Sequence, residues 1–477
     1  MCFLAQMSLC RLLAPCVVLA IPGWLLLLLI PSVEREVFRL SHTHLVGDAL
    51  AVANAVITAR HFVFCMGDYL WCVKDLIIDD LVSVYGWDAG VGVGSIPSMG
   101  VSEAPVYFSH AQYSSVAYDP RAGRPMDALC LTNRSDLPLG ILPDRDPILM
   151  LNCDTGSQEH IARRQLLARA FPALKKEANA DGAAFFGVPA HVLASEAAIL
   201  GGSLVPVKYY YLRRLERAVA DVVGLNLFRD LFDVDITPRL SALASWEAAL
   251  AKVFVGAPLR ASEGPRLREL RLSVEEVVAT GNGARRVLEA ARLLGLPAEA
   301  RLEETVWLVM FAGYGGTRNL AFGALKHMLK DAASRSRLFR KDPAAYMLEA
   351  ARLLPPVAGM NLFQFREARV LQSFPFNRSE LKSRPGDVGI IHTSGANRDP
   401  QVFGRPDDFL PGRVNAEKLL SWNNEWGHIR SCGTVAGCPM APRGCPGAFL
   451  SLRLATKTVE FFVAGIEEAG LGFEKEL

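Results

Sequence analysis

A chain of 477 residues with 51% hydrophobic residues can build a large core. Its formal net charge is only +2, and no long run of lysine or arginine occurs, which excludes a nucleic-acid partner, because phosphate binding needs clustered cations. The ten cysteines are too few and too scattered for a disulfide scaffold, so most read as small buried hydrophobes of a reducing compartment.

The first element is an uncharged stretch, "LLAPCVVLAIPGWLLLLLIPSV", from Leu12 to Val33. About 20 apolar residues cross the hydrocarbon core of a bilayer. Pro15 and Pro22 would kink such a helix without forbidding it. Residues 1–34 are therefore expected to form a membrane anchor or a targeting segment, and residues 35–477 one large domain. Residues 36–86 continue apolar and predict one or two amphipathic helices. From Trp87 to Pro147 the chain is rich in Gly, Pro and Asp, which predicts loop and strand.

From Gln158 onward apolar residues return at three and four positions, in "QEHIARRQLLARAF", "SWEAALAKVF", "GARRVLEAARLLG", "EETVWLVMFAGYGGTRNLAFGALKHMLKDAASR" and "DPAAYMLEAARLL". These predict helices almost without interruption. After Pro355 short strand-like pieces such as "DVGIIHTS" appear, then turns, then a last helix from about Pro446. The pattern predicts a mostly α fold with small β-sheets.

The chemistry sits in the last third. Glu349 and Arg352 lie three apart, hence on one helical face; alone they would read as a surface ion pair worth little. Downstream come Phe409, Pro411 and Arg413, then Arg443, Cys445 and Gly447 in "RSCGTVAGCPMAPRGCPGAFL". Reading Cys432, Cys438 and Cys445 as a zinc site fails on spacing, since there is no Cys-x-x-Cys pair and no clear fourth ligand. Cys445 instead heads a helix, where the dipole and free N–H groups favour a thiolate, and Pro446 suits the first helical turn.

Glu-x-x-Arg, then Phe-x-Pro-x-Arg, then Arg-x-Cys-x-Gly before a helix resembles the cytochrome P450 family in both content and order. The resemblance covers roughly residues 150–465 and implies a cytochrome P450 fold with a single large haem domain. It implies haem b with its iron held by the Cys445 thiolate, and a buried Glu349–Arg352–Arg413 network bracing the cysteine loop. In "EHIARRQLLARAF" it places His160 and Arg164 where the family has a tryptophan and an arginine facing a haem propionate, with Arg163 as a second donor. Arg443 joins the same cofactor-binding set.

The distal helix narrows the resemblance. Typical monooxygenases carry an acid and a threonine after Ala/Gly-Gly-x. Aligned on Ala312 and Gly313, those places hold Gly315 and Gly316, and Thr317 falls one position late, about 100° round the helix. Oxygen splitting would then be handicapped at its proton-transfer step, whereas a hydroperoxide is already reduced. The aromatic-Gly-Gly run Tyr314-Gly315-Gly316 and the loop "WNNEWGHIRSCG" resemble the plant-type allene oxide synthases, hydroperoxide lyases and epoxyalcohol synthases. That branch implies a polyunsaturated fatty-acid hydroperoxide as substrate, an apolar pocket around Phe311, Ala312 and Tyr314, no obligatory reductase, and association with a membrane of the endoplasmic reticulum or plastid. Ala312, Tyr314, Gly315, Gly316 and Thr317 are the expected catalytic positions.

Three departures stand out. Ala312 replaces the branch's asparagine, which favours an epoxyalcohol over an allene oxide. Arg443 is closer to ordinary family members, and the pocket-lining terminal hairpin is expected to be short. The competing readings are an NADPH- and reductase-dependent monooxygenase of an apolar substrate, and a membrane-anchored haem-binding protein without turnover.

Overall fold

The computed structural model describes residues 74–89, 91–96, 101–117, 122–123, 142–146, 149–151, 153–175, 205–254, 263–356, 361–365, 369–371, 381–432 and 443–468, with isolated positions between 37 and 57. The apolar run at 12–33 lies outside the described residues. Among the described residues no helix is long and apolar enough to cross a membrane.

Two compact units divide the chain, residues 1–106 with 370–382, and residues 107–369 with 383–477. The smaller unit contains α1 (Lys74–Ala89), β1 (Val91–Ile96) paired with β2 (Val101–Tyr107), and the short strands β5 (Arg369–Leu371) and β6 (Leu381–Ser383), which pair with each other. In it Gly92 lies so close to the Tyr85 ring that an added Cβ would approach Cδ2 to 2.8 Å.

The larger unit begins with α2 (His110–Ala117). This helix corrects the expectation of only loop and strand between Trp87 and Pro147. Its eight residues are too few to show a periodic face, and Ser109 starts it by accepting the Gln112 N–H at 3.3 Å. The next elements are β3 (Ala122–Gly123), α3 (Gln158–Ala170), α4 (Val205–Phe232), α5 (Leu240–Phe254), α6 (Glu263–Ala279) and α7 (Asn282–Leu293). Gly281 and Gly283 let α7 pass the end of α4, because a Cβ on either would strike the carbonyl oxygens of Phe232 and Leu231 at 2.1 and 2.2 Å.

The distal helix runs as α8 (Ala298–Leu308), a π-helical stretch at Val309–Tyr314, and α9 (Gly315–Met328). It stops where Asp331 caps α10 (Ala332–Lys341), and Asp342 caps α11 (Pro343–Leu353) with a proline at its start. Strands β4 (Asn361–Phe365) and β7 (Val388–Ile391) pair antiparallel with Leu362 opposite Ile390, and β3 joins β4 with Ala122 opposite Phe365. The one-turn α12 (Thr393–Ala396), then α13 (Trp426–Cys432) and α14 (Ala448–Glu468) complete the unit.

Its core lies where α9 packs against α4 and α14. Phe228, Phe232, Trp246, Trp307 and Tyr346 are almost wholly buried, each contributing roughly 1.5–3 kcal/mol or more by leaving water. The architecture is mostly helical with small sheets, as the periodicities predict.

Candidate functional site

Glu349 and Arg352 occupy one buried face of α11. Arg352 donates Nε to Glu349 Oε2 at 3.0 Å and a terminal nitrogen to Oε1 at 2.8 Å. Arg413 Nε reaches the same Oε1 at 2.8 Å, and the Leu410 N–H adds a further bond at 2.9 Å. The remaining guanidinium protons go to main-chain carbonyls. Arg352 bonds those of Asn397, Pro406 and Asp408 at 2.8, 2.6 and 3.0 Å, and Arg413 those of Gly404, Arg405 and Asp408. A buried arginine is costly unless fully paired, and here both are. The three residues drawn from two distant motifs meet at one carboxylate.

That brace connects to the cysteine loop. Ser421 Oγ donates to the Ala351 carbonyl of α11 at 2.6 Å, and the Leu420 N–H to Asn397 Oδ1 at 2.8 Å. The next residue, Trp422, accepts the Cys445 N–H at 2.8 Å. Asn423 takes the left-handed conformation with φ of 59°, which asparagine tolerates better than most residues. Trp422, Trp426 and Phe449 stack in series with centroids 5.0 and 5.5 Å apart, so the loop 419–426 is packed against the start of α14.

Cys445 lies three residues before α14 and carries a free thiol. Burial pushes the thiol above its ordinary value, while the Gly447 N–H and the Arg164 guanidinium pull it down. Cys432 is disulfide-bonded, and its partner lies outside the described residues. This corrects the expectation of a reduced thiol there and removes Cys432 from any cluster with Cys445. Among the described residues no group of three metal-binding side chains exists.

Around Cys445 the nearby charges are cationic. Helix α3, capped by Ser157, buries His160, Arg163 and Arg164. Arg164 donates to the Gly444 carbonyl at 2.9 Å. Arg443 donates Nε to Thr155 Oγ1 at 2.6 Å and a terminal nitrogen to the Cys153 carbonyl. Burial, together with Arg443 and Arg164, lowers His160 to about 4, so it is neutral near pH 7. Arg163 is elsewhere: it pairs with Glu304 at 2.7 Å and Glu159 at 2.6 Å, and belongs to an ion network with Arg301 and Asp146 rather than to this cluster. The half-buried Cys445 thiol with the Arg164 guanidinium acting on it, and His160 beside both Arg164 and Arg443, fit haem, whose iron would take the sulfur and whose carboxylates would take the cations.

On the distal helix the sequence positions separate. Within a buried helix, Ala312 is exposed and Phe311, Gly313 and Gly316 are partly exposed. Ala312 and Gly316 are four apart and hence form an open face lined by almost no side chain. Phe311 stacks on Trp307 at 5.0 Å beside it. Tyr314 stands on another face, wholly buried against Gly224 of α4, with its hydroxyl unpaired and pushed up to about 12 by burial. Gly315 and Thr317 are buried as well. The Glu247–Arg318 pair beside Gly315 is not legible in the chain, since its two members are 71 residues apart.

No protein-family model matches the chain. "Probable cytochrome P450 28d1" of Drosophila melanogaster is 37% identical over 76 residues, covering 16% of this chain and only 14% of that protein's length. Solved structures align over far more of the chain. P450BioI in complex with hexadec-9Z-enoic acid ligated Acyl Carrier Protein gives a TM-score of 0.53 at 15% identity, covering 82% of this chain and 91% of that one. The ligand-free P450 monooxygenase TamI gives 0.53 at 15%, covering 86% and 90%. Myxobacterial cytochrome P450 CYP267B1 in complex with myristic acid gives 0.52 at 18%, covering 79% and 86%. With the cysteine loop, its arginine brace and the long distal helix in place, the chain has the cytochrome P450 fold.

Proposed function

We propose that this chain is a haem-thiolate enzyme that converts polyunsaturated fatty-acid hydroperoxides to oxylipins without an external reductant, in association with a membrane of the endoplasmic reticulum or plastid. The observation that carries this reading is the distal helix, where Ala312 and Gly316 put neither acid nor hydroxyl on its exposed face and Gly315, in the acid's place, is buried. When bound, haem supplies one-electron cleavage of an oxygen–oxygen bond. Cys445 would hold its iron, Arg164 and Arg443 would hold its carboxylates, and neutral His160 would add one N–H. The Glu349–Arg352–Arg413 brace fixes the loop that presents the sulfur. Phe311 supplies an apolar wall beside the open face, suited to a lipid tail.

The product is an isomeric epoxyalcohol, or an allene oxide formed with loss of water; Ala312 in the place of an asparagine favours the epoxyalcohol. Two of the solved relatives hold fatty acyl ligands, which is consistent with an acyl-chain pocket. A second reading, an NADPH- and reductase-dependent monooxygenase of an apolar substrate, is favoured by the likeness to the monooxygenase TamI. The deciding experiment incubates the purified holoprotein with linoleate or linolenate hydroperoxide and no reductant. Consumption with oxylipin formation is expected. No consumption, with turnover once reductase and NADPH are added, would establish the second reading instead.

A further inference from the structure

The π-helical stretch Val309–Tyr314 is gripped on both sides by a single neighbour, α5. Before the stretch, the buried ring of Trp246 on α5 meets Trp307 edge-on with centroids 6.2 Å apart. Beyond it, the next residue of α5, Glu247, accepts from both terminal nitrogens of Arg318, at 2.8 and 3.1 Å. Gly315 lets α5 come this close, because a Cβ there would lie 3.2 Å from Glu247 Oε1. Between the two contacts lie Phe311, stacked on Trp307 at 5.0 Å, and the exposed Ala312.

Stretches of π-helix are rare inside α-helices, so this register is one that the surrounding packing must hold. Returning the stretch to α geometry would turn Arg318 against Trp307 by roughly 100°, one residue's worth of helix. Trp246 and Glu247 are neighbours on one helix and could not follow both partners through that turn. We propose that Trp246 and Glu247 form a two-point clip that holds the distal helix in its π register, and that by fixing Phe311 and Ala312 the clip sets which acyl chains the exposed face accepts. The apolar half is an edge-on aromatic pair, which has a preferred geometry of its own. The ionic half is a carboxylate and a guanidinium joined by two bonds, which fixes their relative orientation. Both residues act through the distal helix, as positioning residues, and Arg318 is the ionic anchor. The selection of acyl chains rests on the proposed function; the clip does not.

Amide hydrogen exchange of the purified holoprotein reads the clip. Glu247→Gln is expected to speed exchange across Val309–Tyr314 about tenfold while the later turns of α9 keep wild-type rates. Arg318→Gln should do the same, and the double variant no more, because the two changes remove one contact. Unchanged exchange in the stretch, or an equal rise along all of α9, would overturn the clip. Trp246→Phe, which weakens the apolar half, gives the same reading if Glu247→Gln does not load haem. Selection is read by the Kd of saturated fatty acids from laurate to stearate, followed by the shift of the haem absorption band. Wild-type protein is expected to prefer one length by about tenfold, and Glu247→Gln to lose most of that preference. A wild-type preference in Glu247→Gln would overturn the selecting role alone. Wild-type protein that binds no fatty acid would overturn that role together with the substrate class of the proposed function, while exchange would still judge the clip.

Discussion

The two sides of the site are built on opposite plans. Beneath Cys445, each arginine of the brace is saturated: one carboxylate accepts from two guanidiniums and a backbone amide, and five residues supply carbonyls to the rest. On the distal helix Ala312 and Gly316 carry no polar side chain on the exposed face, and the Glu247 carboxylate beside buried Gly315 comes from a different helix. Rigidity is concentrated where the sulfur must be presented in one geometry. Permissiveness is concentrated where a substrate must fit. The contrast explains why a fold read from the cysteine side says little about the reaction.

The sharpest way to break that contrast is at the sulfur. Cys445→Ser is expected to abolish the haem-thiolate signature in the carbon monoxide difference spectrum and all turnover, while far-ultraviolet circular dichroism stays helical. Next in size is the brace. Glu349→Gln leaves two buried guanidiniums short of a counter-charge, and is expected to cost about 3–5 kcal/mol in denaturant unfolding and to reduce haem loading.

A third effect is pH-dependent and lies behind the brace. His327 stacks on Phe409 with centroids 4.1 Å apart. Burial first, then Arg335 and Lys330, lowers it from 6.5 to about 3. The unfolded chain therefore binds a proton that the folded chain refuses, and stability falls as pH drops from about 6.5 toward 3. The loss is on the order of a few kcal/mol. Urea midpoints measured from pH 7 to pH 4 should decline, and His327→Phe, which keeps a ring against Phe409, should flatten the decline.

The smallest effect on stability is expected at the open face. Ala312→Asn adds a polar side chain to that face and should move products from epoxyalcohol toward allene oxide by chromatographic analysis. A large stability loss with unchanged products would show that the face is packed rather than open.

Much of the cysteine side was legible in the chain because its chemistry is local. Glu349 and Arg352 share a helical face by spacing, and Cys445 precedes a helix marked by Pro446 and an apolar period. The helix α11 and the strand β7 follow from the same periodic signals. What stayed hidden depends on distant encounters. Glu247 reads as an ordinary polar position on α5 until α5 is packed on the distal helix. Arg163 and Arg164 are adjacent in sequence, and only the fold separates them, sending one to Glu304 and the other to Gly444. The helix α2 was missed because its cap and its brevity leave no repeating face. Tyr314 was expected on the pocket wall, but its turn on the helix carries it to Gly224.

The carbonyl shell around Arg352 and Arg413 has an evolutionary consequence. Because those guanidiniums grip oxygens of the main chain between Asn397 and Asp408, the segment is held by its path and not by its letters. A substitution that keeps the path of the main chain leaves these bonds in place, whereas one inserted or deleted residue would pull several carbonyls off their donors at once. Length, more than identity, is the conserved quantity this arrangement demands.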